Sequence, residues 1–269
     1  MNIYIMTDME GVCGLVNFDD WCEPGGRYYE RGKELLTLEL NAAIEGFCAA
    51  GAKNITVVDG HGAGGINNLM LDKRAEYARV AGYPFALDNS FDCIAYVGQH
   101  AKAGTEYAHL CHTGSFIVLD YKINGVSVGE FGQIALGGAT MGIPVIFAAG
   151  DRAFAKEAEA LCPGVVTAAS KRGVKPGSGD ECTEEAYQAR NQSAIHAHPD
   201  TARALIKDKA REALEKYKAD KSSFKMPQIS APYRREICYR ASGRRPAVKT
   251  YAEHPNDYFG MLTAQEIVV

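Results

Sequence analysis

The sequence predicts an α/β protein with an open, mostly parallel sheet and helices on both faces in its N-terminal half, followed by a smaller α+β C-terminal subdomain. Short apolar runs bounded by glycine or polar residues alternate with segments of helical periodicity through the first 150 residues. Such uninterrupted apolar runs are typical of parallel strands buried on both faces. Beyond residue 150, a charged helical segment and several short strand-like runs replace this alternation.

The first half contains five predicted strands and two long predicted helices. The strands are Ile3–Thr7, Ile55–Val58, Cys93–Val97, Val126–Val128 and Pro144–Ala148. The helices are Glu30–Ala50 and Gly129–Met141. The first helix places its leucines and Phe47 at broadly helical spacing, and Gly51 follows it as a C-terminal cap.

The second half is predicted to begin near Gly150, which divides the chain into 1–150 and 151–269, packed together as one unit. A helix over Arg152–Leu161 stops at Pro163-Gly164, and residues 173–182 form a loop by composition. A charged amphipathic helix follows from Asp200 to Ala219, with Asp200 or Thr201 as its N-terminal cap. Three short strands are predicted at Ile229–Ala231, Arg235–Tyr239 and Ala247–Tyr251.

Composition excludes several classes of protein. The 269 residues are 46% hydrophobic and 23% charged, with a formal net charge of −4, so no basic excess indicates nucleic acid as a partner. No apolar run reaches the ~18 residues of a membrane span, and no signal-peptide pattern opens the chain. The eight cysteines form no C-x-x-C pair, which favours reduced thiols in a cytoplasmic protein.

Polar side chains follow the predicted strands at the point where each strand ends. Asp8 and Glu10 follow the first strand, His61 the second and His100 the third, while Glu130 begins the helix after the fourth. Ligands bind beyond the carboxyl ends of strands in open α/β sheets, so these groups are expected to converge. Two imidazoles and three carboxylates suit zinc or manganese, and the sequence therefore predicts a metal or catalytic site at this edge.

Other residues near the strand ends have simpler interpretations. Asp151 is expected to cap the helix that follows it, and Asp59 could orient His61. His109 and His112 both lie in the loop after the third strand, and either could transfer protons; their spacing does not distinguish them. The pair His196-x-His198 precedes Pro199 and is interpreted as part of a loop.

Seven short blocks in a fixed order make the sequence similar to the M55 peptidases, a family of D-aminopeptidase type. The resemblance extends from residue 3 to about residue 171. The blocks are Thr7-Asp8-Met9-Glu10-Gly11, Tyr29-Glu30-Arg31-Gly32, Val58-Asp59-Gly60-His61 with Asn67-Asn68-Leu69-Met70, Gly98-Gln99-His100-Ala101, His112-Thr113, Gly129-Glu130-Phe131-Gly132 and Ala149-Gly150-Asp151.

The resemblance implies two Zn²⁺ ions per subunit, with Mn²⁺ or Co²⁺ as possible substitutes, and a ring-like homo-oligomer, a decamer, with enclosed active sites. It implies removal of the N-terminal residue from short peptides, with a preference for D-residues. The implied ligands are Asp8, as the bridge, with Glu10, His61, His100 and Glu130, and the implied catalytic residue is His112. No nucleic acid or membrane partner is expected.

Two alternatives and one departure from the family pattern stay open. A dinuclear site could serve another amide or a phosphoester, or the protein could bind peptides in a metal-dependent way without turnover. The segment 172–189 has the character of an insertion, which in a ring could line or narrow the route to the active site. A carboxylate beside the metals is expected to hold the free amine of the peptide, but the sequence does not identify it.

Overall fold

The computed structural model describes all 269 residues. Its strands are β1 (Asn2–Thr7), β2 (Asn54–Asp59), β3 (Glu76–Ala78), β4 (Cys93–Gln99), β5 (Val118–Ile123), β6 (Val126–Ser127), β7 (Val145–Asp151), β8 (Val166–Gly173), β9 (Ala194–His196), β10 (Tyr233–Tyr239), β11 (Val248–His254) and β12 (Ile267–Val268). Its α-helices are α1 (Phe18–Trp21), α2 (Tyr29–Ala49), α3 (Glu130–Thr140), α4 (Arg152–Leu161), α5 (Glu184–Arg190), α6 (Pro199–Ala219) and α7 (Tyr258–Thr263).

Seven strands form the large sheet, in the order β3-β2-β1-β4-β7-β8-β9. All neighbours are parallel except β8 and β9, which confirms the predicted mostly parallel sheet. The chain leaves β1 toward β2 on one side and later returns to place β4 on the other side. The gap between β1 and β4 is therefore a topological switch point, where open α/β sheets bind ligands.

Helices cover both faces of this sheet, as predicted. On one face α2 and α6 pack over side chains such as Ile5 and Val97, and Phe47 of α2 meets Phe147 of β7 edge to face at 5.7 Å between ring centroids. On the other face α3 and α4 cover Tyr4 and Tyr96. Because strand side chains alternate between faces, β1 and β4 supply apolar residues to both cores. The polar residues that follow these strands lie beyond the two cores, at the edge of the sheet.

A second, five-stranded antiparallel sheet has the order β12-β11-β10-β5-β6. The prediction of Val126–Val128 as a fourth parallel strand was wrong, because Val126 and Ser127 form β6 in this sheet. The cause is the two-residue turn Asn124-Gly125, whose φ angles of 47° and 82° are those of a tight hairpin. The prediction of a parallel strand overlooked this hairpin signal.

The C-terminal predictions have mixed outcomes. Ile229–Ala231 is not a strand. It lies between Pro227 and Pro232, which have no backbone N–H to donate to a neighbouring strand, and its Ser230 carbonyl accepts from the side-chain Nδ2 of Asn124. Strands β10 and β11 confirm the other two predicted runs. The boundary at residue 150 stays a prediction, but β8 and β9 continue the large sheet beyond it and β5 and β6 enter the small sheet from before it.

The four predicted helices, now α2, α3, α4 and α6, lie within one or two residues of their predicted positions, while α1, α5 and α7 were not predicted. Of the two predicted N-terminal caps, one is confirmed and one is wrong. Asp151 caps α4 by accepting from the backbone N–H of Phe154 at 2.7 Å, as predicted. Helix α6 is capped by His198, whose Nδ1 accepts from the Asp200 amide at 3.2 Å, rather than by Asp200 or Thr201. Pro199 at its first turn is compatible with a helix start, which moves the cap upstream. No helix is both long and apolar enough to cross a bilayer.

Gly98 sets the path of the chain where β1 leaves the sheet. Its φ is +78°, and a Cβ there would lie 2.1 Å from the Asp8 carbonyl oxygen. The Asp8 amide donates to the Val97 carbonyl at 3.0 Å, and the Gly11 amide donates to the Gly98 carbonyl at 2.7 Å. Any side chain at residue 98 must therefore displace the segment that carries Asp8 and Glu10.

We expect Gly98→Ala to lower the free energy of unfolding by roughly 3 kcal/mol or more, because steric displacement adds to left-handed backbone strain. The matched control is Gly142→Ala, at φ +74° with nothing within 4 Å of the added Cβ, which should lose only about 1 kcal/mol. Urea unfolding of both variants measures the difference. Equal losses would contradict the close-approach argument.

Candidate functional site

The predicted site residues converge beyond the carboxyl ends of β1, β2 and β4. Thr7 of β1 lies opposite Asp59 of β2 and Val97 of β4, so the three strands end at one level. The next residues of each chain segment therefore emerge together, and α3 begins beside them. This edge gathers all five predicted ligands and the predicted catalytic histidine: Asp8, Glu10, His61, His100, His112 and Glu130.

Carboxylate and imidazole atoms form one continuous cluster. His100 Nε2 lies 3.2 Å from Asp8 Oδ2 and 3.5 Å from Glu130 Oε1. His61 Nε2 lies 3.5 Å from Glu10 Oε1, and His112 Nε2 lies 3.7 Å from Glu130 Oε1. The His100 and His112 rings stack with centroids 4.2 Å apart.

Two overlapping groups in this cluster have ligand atoms close enough to hold one metal ion each. They are Asp8, Glu10 and His100, and His100, His112 and Glu130. The second group includes His112, which the sequence assigned to catalysis rather than to binding. His100 belongs to both, and its one nitrogen that faces the cluster, Nε2, could bind only one ion. His61, the remaining predicted ligand, belongs to neither group, and its Nε2 lies 3.5 Å from Glu10 Oε1.

Several polar atoms of the cluster find no partner within the protein, and a bound cation would provide one. Glu10 Oε2, His61 Nδ1 and His100 Nε2 are buried and have no hydrogen-bond partner. Buried polar atoms without partners are rare and costly in folded proteins. Their concentration in one pocket, together with three carboxylates, indicates a site that is completed by positive charge.

The pKa values of the cluster show where that charge is needed. Burial raises the pKa of Asp8 to about 8, and the nearby Glu10 and Glu130 carboxylates add to the effect. Burial opposes charge on His61 and Glu10 as well, yet their mutual attraction raises the His61 pKa to about 9 and holds the Glu10 pKa well below its usual range. Without a metal, protons therefore occupy the cluster, and a cation must displace them.

Neighbouring groups fix the orientation of the cluster side chains. Gln99 Nε2 donates to Asp8 Oδ2 at 2.7 Å, and the buried Lys171 ammonium donates to the Glu10 carbonyl. His100 Nδ1 faces the Ala101 carbonyl at 2.9 Å and His112 Nδ1 faces the Leu110 carbonyl at 2.8 Å, which turns both Nε2 atoms toward the cluster. The sequence analysis missed Gln99 and Lys171.

Asp59 does not orient His61, so that interpretation was wrong. Its carboxylate accepts from the Gly65 amide at 2.8 Å and from the Tyr77 hydroxyl at 3.2 Å, while His61 Nδ1 has no partner. Asp59 instead holds the loop that follows His61, because its carboxylate accepts from the backbone amides of Gly65 and Ile66 in that loop.

The structure separates the two histidines that spacing left undistinguished. His112 lines the pocket, and its ring packs on Phe116 at 4.6 Å between centroids. His109 is fully buried elsewhere, with Nε2 facing the Val16 carbonyl at 3.1 Å, and burial lowers its pKa to about 2. His196 and His198 both accept from backbone amides through Nδ1. The interpretation of this pair as loop was wrong for His196, which ends β9 opposite Lys171, while His198 is the N-terminal cap of α6.

The cluster opens into a cavity of about 440 Å³. Phe18, Tyr83, Phe85 and Ile134 form its apolar wall, and no lysine or arginine lines it. A larger cavity of about 930 Å³ contains none of the six cluster residues. The cluster cavity is therefore the candidate active site, small enough for a short substrate and lined by the carboxylates of the cluster.

An open parallel sheet with buried carboxylates and imidazoles at a topological switch point defines an α/β enzyme of the metallohydrolase class. Residues 1–253 match the profile of peptidase family M55, described as D-aminopeptidase. The chain belongs to the M55 peptidase family and is an aminopeptidase, a hydrolase of peptide bonds.

Two comparisons extend this result. The D-aminopeptidase of Bacillus subtilis (strain 168) is 36% identical over 197 residues, covering 71% of this chain and 70% of that protein. A solved structure described as the Zn-dependent D-aminopeptidase DppA from Bacillus subtilis, a self-compartmentalizing protease, superposes with a TM-score of 0.83 at 26% identity. That match covers 97% of this chain and 95% of the solved chain, so it includes the second sheet.

Proposed function

We propose that this chain is a cytoplasmic dizinc aminopeptidase that removes the N-terminal residue from short peptides, with a preference for D-residues. The observation that carries the proposal is the cluster itself, in which each of three carboxylates lies within 3.5 Å of the imidazole of His61 or His100 at one edge of the sheet. We assign Asp8, Glu10, His61, His100 and Glu130 to the two ions, with Asp8 between them. The zinc dependence and the D-aminopeptidase description of the solved relative support this assignment.

Zinc held by these five residues would supply Lewis-acid activation of water and of the scissile carbonyl. The residue of this chain that would move the proton is His112. Its Nδ1–H donates to the Leu110 carbonyl, which leaves the Nε2 lone pair facing the cluster. Burial and the nearby His100 lower the pKa of His112, so the imidazole is neutral at neutral pH and can accept a proton before passing it to the leaving amine.

The lining of the cavity favours a peptide over a phosphoester. Phosphoryl transfer is usually assisted by arginine or lysine that binds the phosphate oxygens, and the cavity has neither. His112 beside the ligand groups favours turnover over passive peptide binding, because a binding site needs no proton-transfer group. Both alternatives remain outcomes of the experiment below.

We propose a ring-like homo-oligomer, a decamer, because the solved relative is described as self-compartmentalizing. Residues 172–189 do not line the active-site cavity within one chain. Gln188 of this segment donates to Asp19 at 2.9 Å, and Asp19 adjoins Phe18 of the cavity wall. The proposed insertion thus reaches the edge of the cavity, where it could narrow access in an assembly.

The experiment that tests the function combines metal analysis of the purified protein with a substrate panel. The panel contains D-Ala and L-Ala dipeptides, alanine amides and p-nitrophenyl phosphate. We expect two zinc ions per chain and release of the N-terminal residue, faster from D-Ala than from L-Ala dipeptides. Hydrolysis of the phosphate alone, or tight peptide binding with no product after long incubation, would overturn the proposal.

Removing the metal should make stability depend on pH. The His61 pKa lies near 9 against an ordinary 6.5, so its stabilising proton is fully bound below pH 6.5 and is lost as the pH rises through 9. The Asp8 pKa lies near 8 against 3.8, so the unfolded chain loses this proton first, and rising pH destabilises the fold in the same direction up to pH 8.

We therefore expect the Tm of chelator-treated protein to fall by roughly 5 °C or more between pH 6.5 and 9. The zinc-loaded protein should change much less, since the ions replace the protons. Thermal unfolding of both forms across this pH range checks the prediction. Parallel curves would contradict it.

A further inference from the structure

We infer that Glu23 binds the free ammonium group of the substrate's N-terminal residue. The inference rests on the proposed aminopeptidase function, because only a substrate with a free amine presents such a group beside the scissile bond. It assigns a specificity role to a residue outside the cluster of metal-binding side chains.

Glu23 occupies a distinct place in the cavity wall. Four carboxylates line the cavity, and three of them, Asp8, Glu10 and Glu130, belong to the cluster. Glu23 is the fourth; it follows α1, whose Phe18 forms part of the apolar wall. It is therefore the one lining carboxylate that the proposed metal site does not use.

The backbone of Glu23 is fixed, while its carboxylate is free. Its carbonyl accepts from the Gly26 amide at 2.9 Å, closing a turn. That turn packs on α1 so closely that a Cβ on Gly26 would lie 2.5 Å from the Asp19 carbonyl. The side chain itself is exposed and takes part in no hydrogen bond or ion pair, unlike the neighbouring Asp19 and Asp20, which accept from Gln188 and Asn17.

Glu23 lines the same cavity as His61 and the loop that follows it, through Gly62 and Ala63. The Tyr29 hydroxyl, at the start of α2 shortly after Glu23, donates to the Gly64 carbonyl of that loop. Burial is the main cause that raises the pKa of Tyr29 to about 12, with smaller contributions from Asp59, Glu30 and Glu23 that Arg79 partly offsets. The segment from Glu23 to Tyr29 and the loop after His61 therefore border the cavity together.

The chemistry of the cavity selects an ammonium as the partner. No lysine or arginine lines the cavity, and Glu23 forms no ion pair; the Arg79 guanidinium at this rim donates to the carbonyls of His61 and Gly62 instead. An ammonium group offers three donors, and its charge-assisted hydrogen bonds to a carboxylate are about twice as strong as neutral ones. A bound substrate with a blocked or missing amine would leave the Glu23 carboxylate without a partner. Such an unpaired polar group lowers the affinity for an analogue that lacks the recognised group.

The test compares two metal-binding inhibitors that differ only in the amine: alanine hydroxamate, in the enantiomer that matches the preferred dipeptide, and propanohydroxamate. For the zinc-loaded wild-type enzyme we expect the amine to improve the inhibition constant by about tenfold. In Glu23→Gln this advantage should shrink to less than about threefold, while propanohydroxamate binds as before. KM for dipeptides should rise with kcat largely retained, and Glu23→Asp should recover part of the preference.

Glu30→Gln is the matched control, because Glu30 is an exposed carboxylate that also acts on Tyr29 but does not line the cavity. It should keep the wild-type ratio of the two inhibition constants. If the ratio of the two inhibition constants is unchanged in Glu23→Gln, while the variant has normal zinc content and the wild-type enzyme is active, the inference about Glu23 is overturned and the proposed function is not. A wild-type protein that cleaves no peptide would instead overturn the proposed function.

Discussion

Asp8→Ala protein is expected to purify folded, to hold less than about a tenth of the wild-type zinc and to release no measurable product from dipeptides. The expectation follows from the central place of Asp8, whose Oδ2 lies 3.2 Å from His100 Nε2 and accepts from Gln99. Loss of a carboxylate proposed to lie between both ions removes a ligand from each. Metal analysis and dipeptide turnover measure the two effects.

Stability distinguishes this outcome from simple misfolding. Burial and like charges raise the pKa of Asp8 to about 8, so its charged form is disfavoured in the metal-free fold. Metal-free Asp8→Ala should therefore unfold no more easily than metal-free wild type at pH 8.

The matched control for Asp8→Ala is Asp151→Asn, which changes another buried carboxylate, at the end of β7, that caps α4 and belongs to neither ligand group. It should lose some stability and keep its zinc. Normal zinc and turnover in Asp8→Ala would overturn the site assignment.

His112→Ala should keep zinc and lose turnover by roughly 10²–10⁴-fold, the usual contribution of a general acid–base group. His112 Nε2 faces Glu130 Oε1 at 3.7 Å and Glu10 Oε1 at 4.0 Å, near the proposed ions, and Phe116 packs on its ring. Single-turnover kinetics with zinc-loaded protein measure the chemical step directly. The pH profile of kcat should lose its acid limb, since that limb reports the proton on the imidazole.

His109→Gln is the control for this variant. His109 is buried away from the cavity, so its replacement should reduce stability more than kcat. If His112→Ala loses zinc together with activity, His112 is a ligand of the group it forms with His100 and Glu130 rather than a proton-transfer residue. Near-wild-type turnover would remove it from the mechanism altogether.

Much of the fold could be predicted because several strands of the large sheet, and the helices that cover it, have patterns that can be recognised within short stretches of sequence. Strands β1, β2, β4 and β7 are apolar runs, and α2 and α4 carry helical periodicity with recognisable ends. The small sheet is different, since β5 pairs with β10 across a long stretch of chain. Such pairings leave no periodic signal, and Val126–Val128 was assigned to the wrong sheet although the Asn124-Gly125 turn marked a hairpin.

Most cluster residues could be predicted because they follow the ends of strands, which the sequence reveals. The residues that contact them or complete the cavity have no such common position. Gln99 meets Asp8 only because β1 and β4 are neighbours in the sheet. Lys171 reaches the Glu10 carbonyl from β8, and Glu23 reaches the cavity from a turn. Each partnership depends on tertiary geometry that spacing along the chain does not contain.

The two interleaved sheets have a consequence for the order in which the protein is made. All six cluster residues lie between positions 8 and 130, but β5 must wait for β10, which begins at residue 233. At ordinary rates of translation the interval is on the order of ten seconds. During it the six cluster residues are already synthesised, while the β5–β6 hairpin keeps an unpaired edge that could pair with other chains. The small sheet therefore closes only after most of the chain has been made, and its edge is open to misassembly until then.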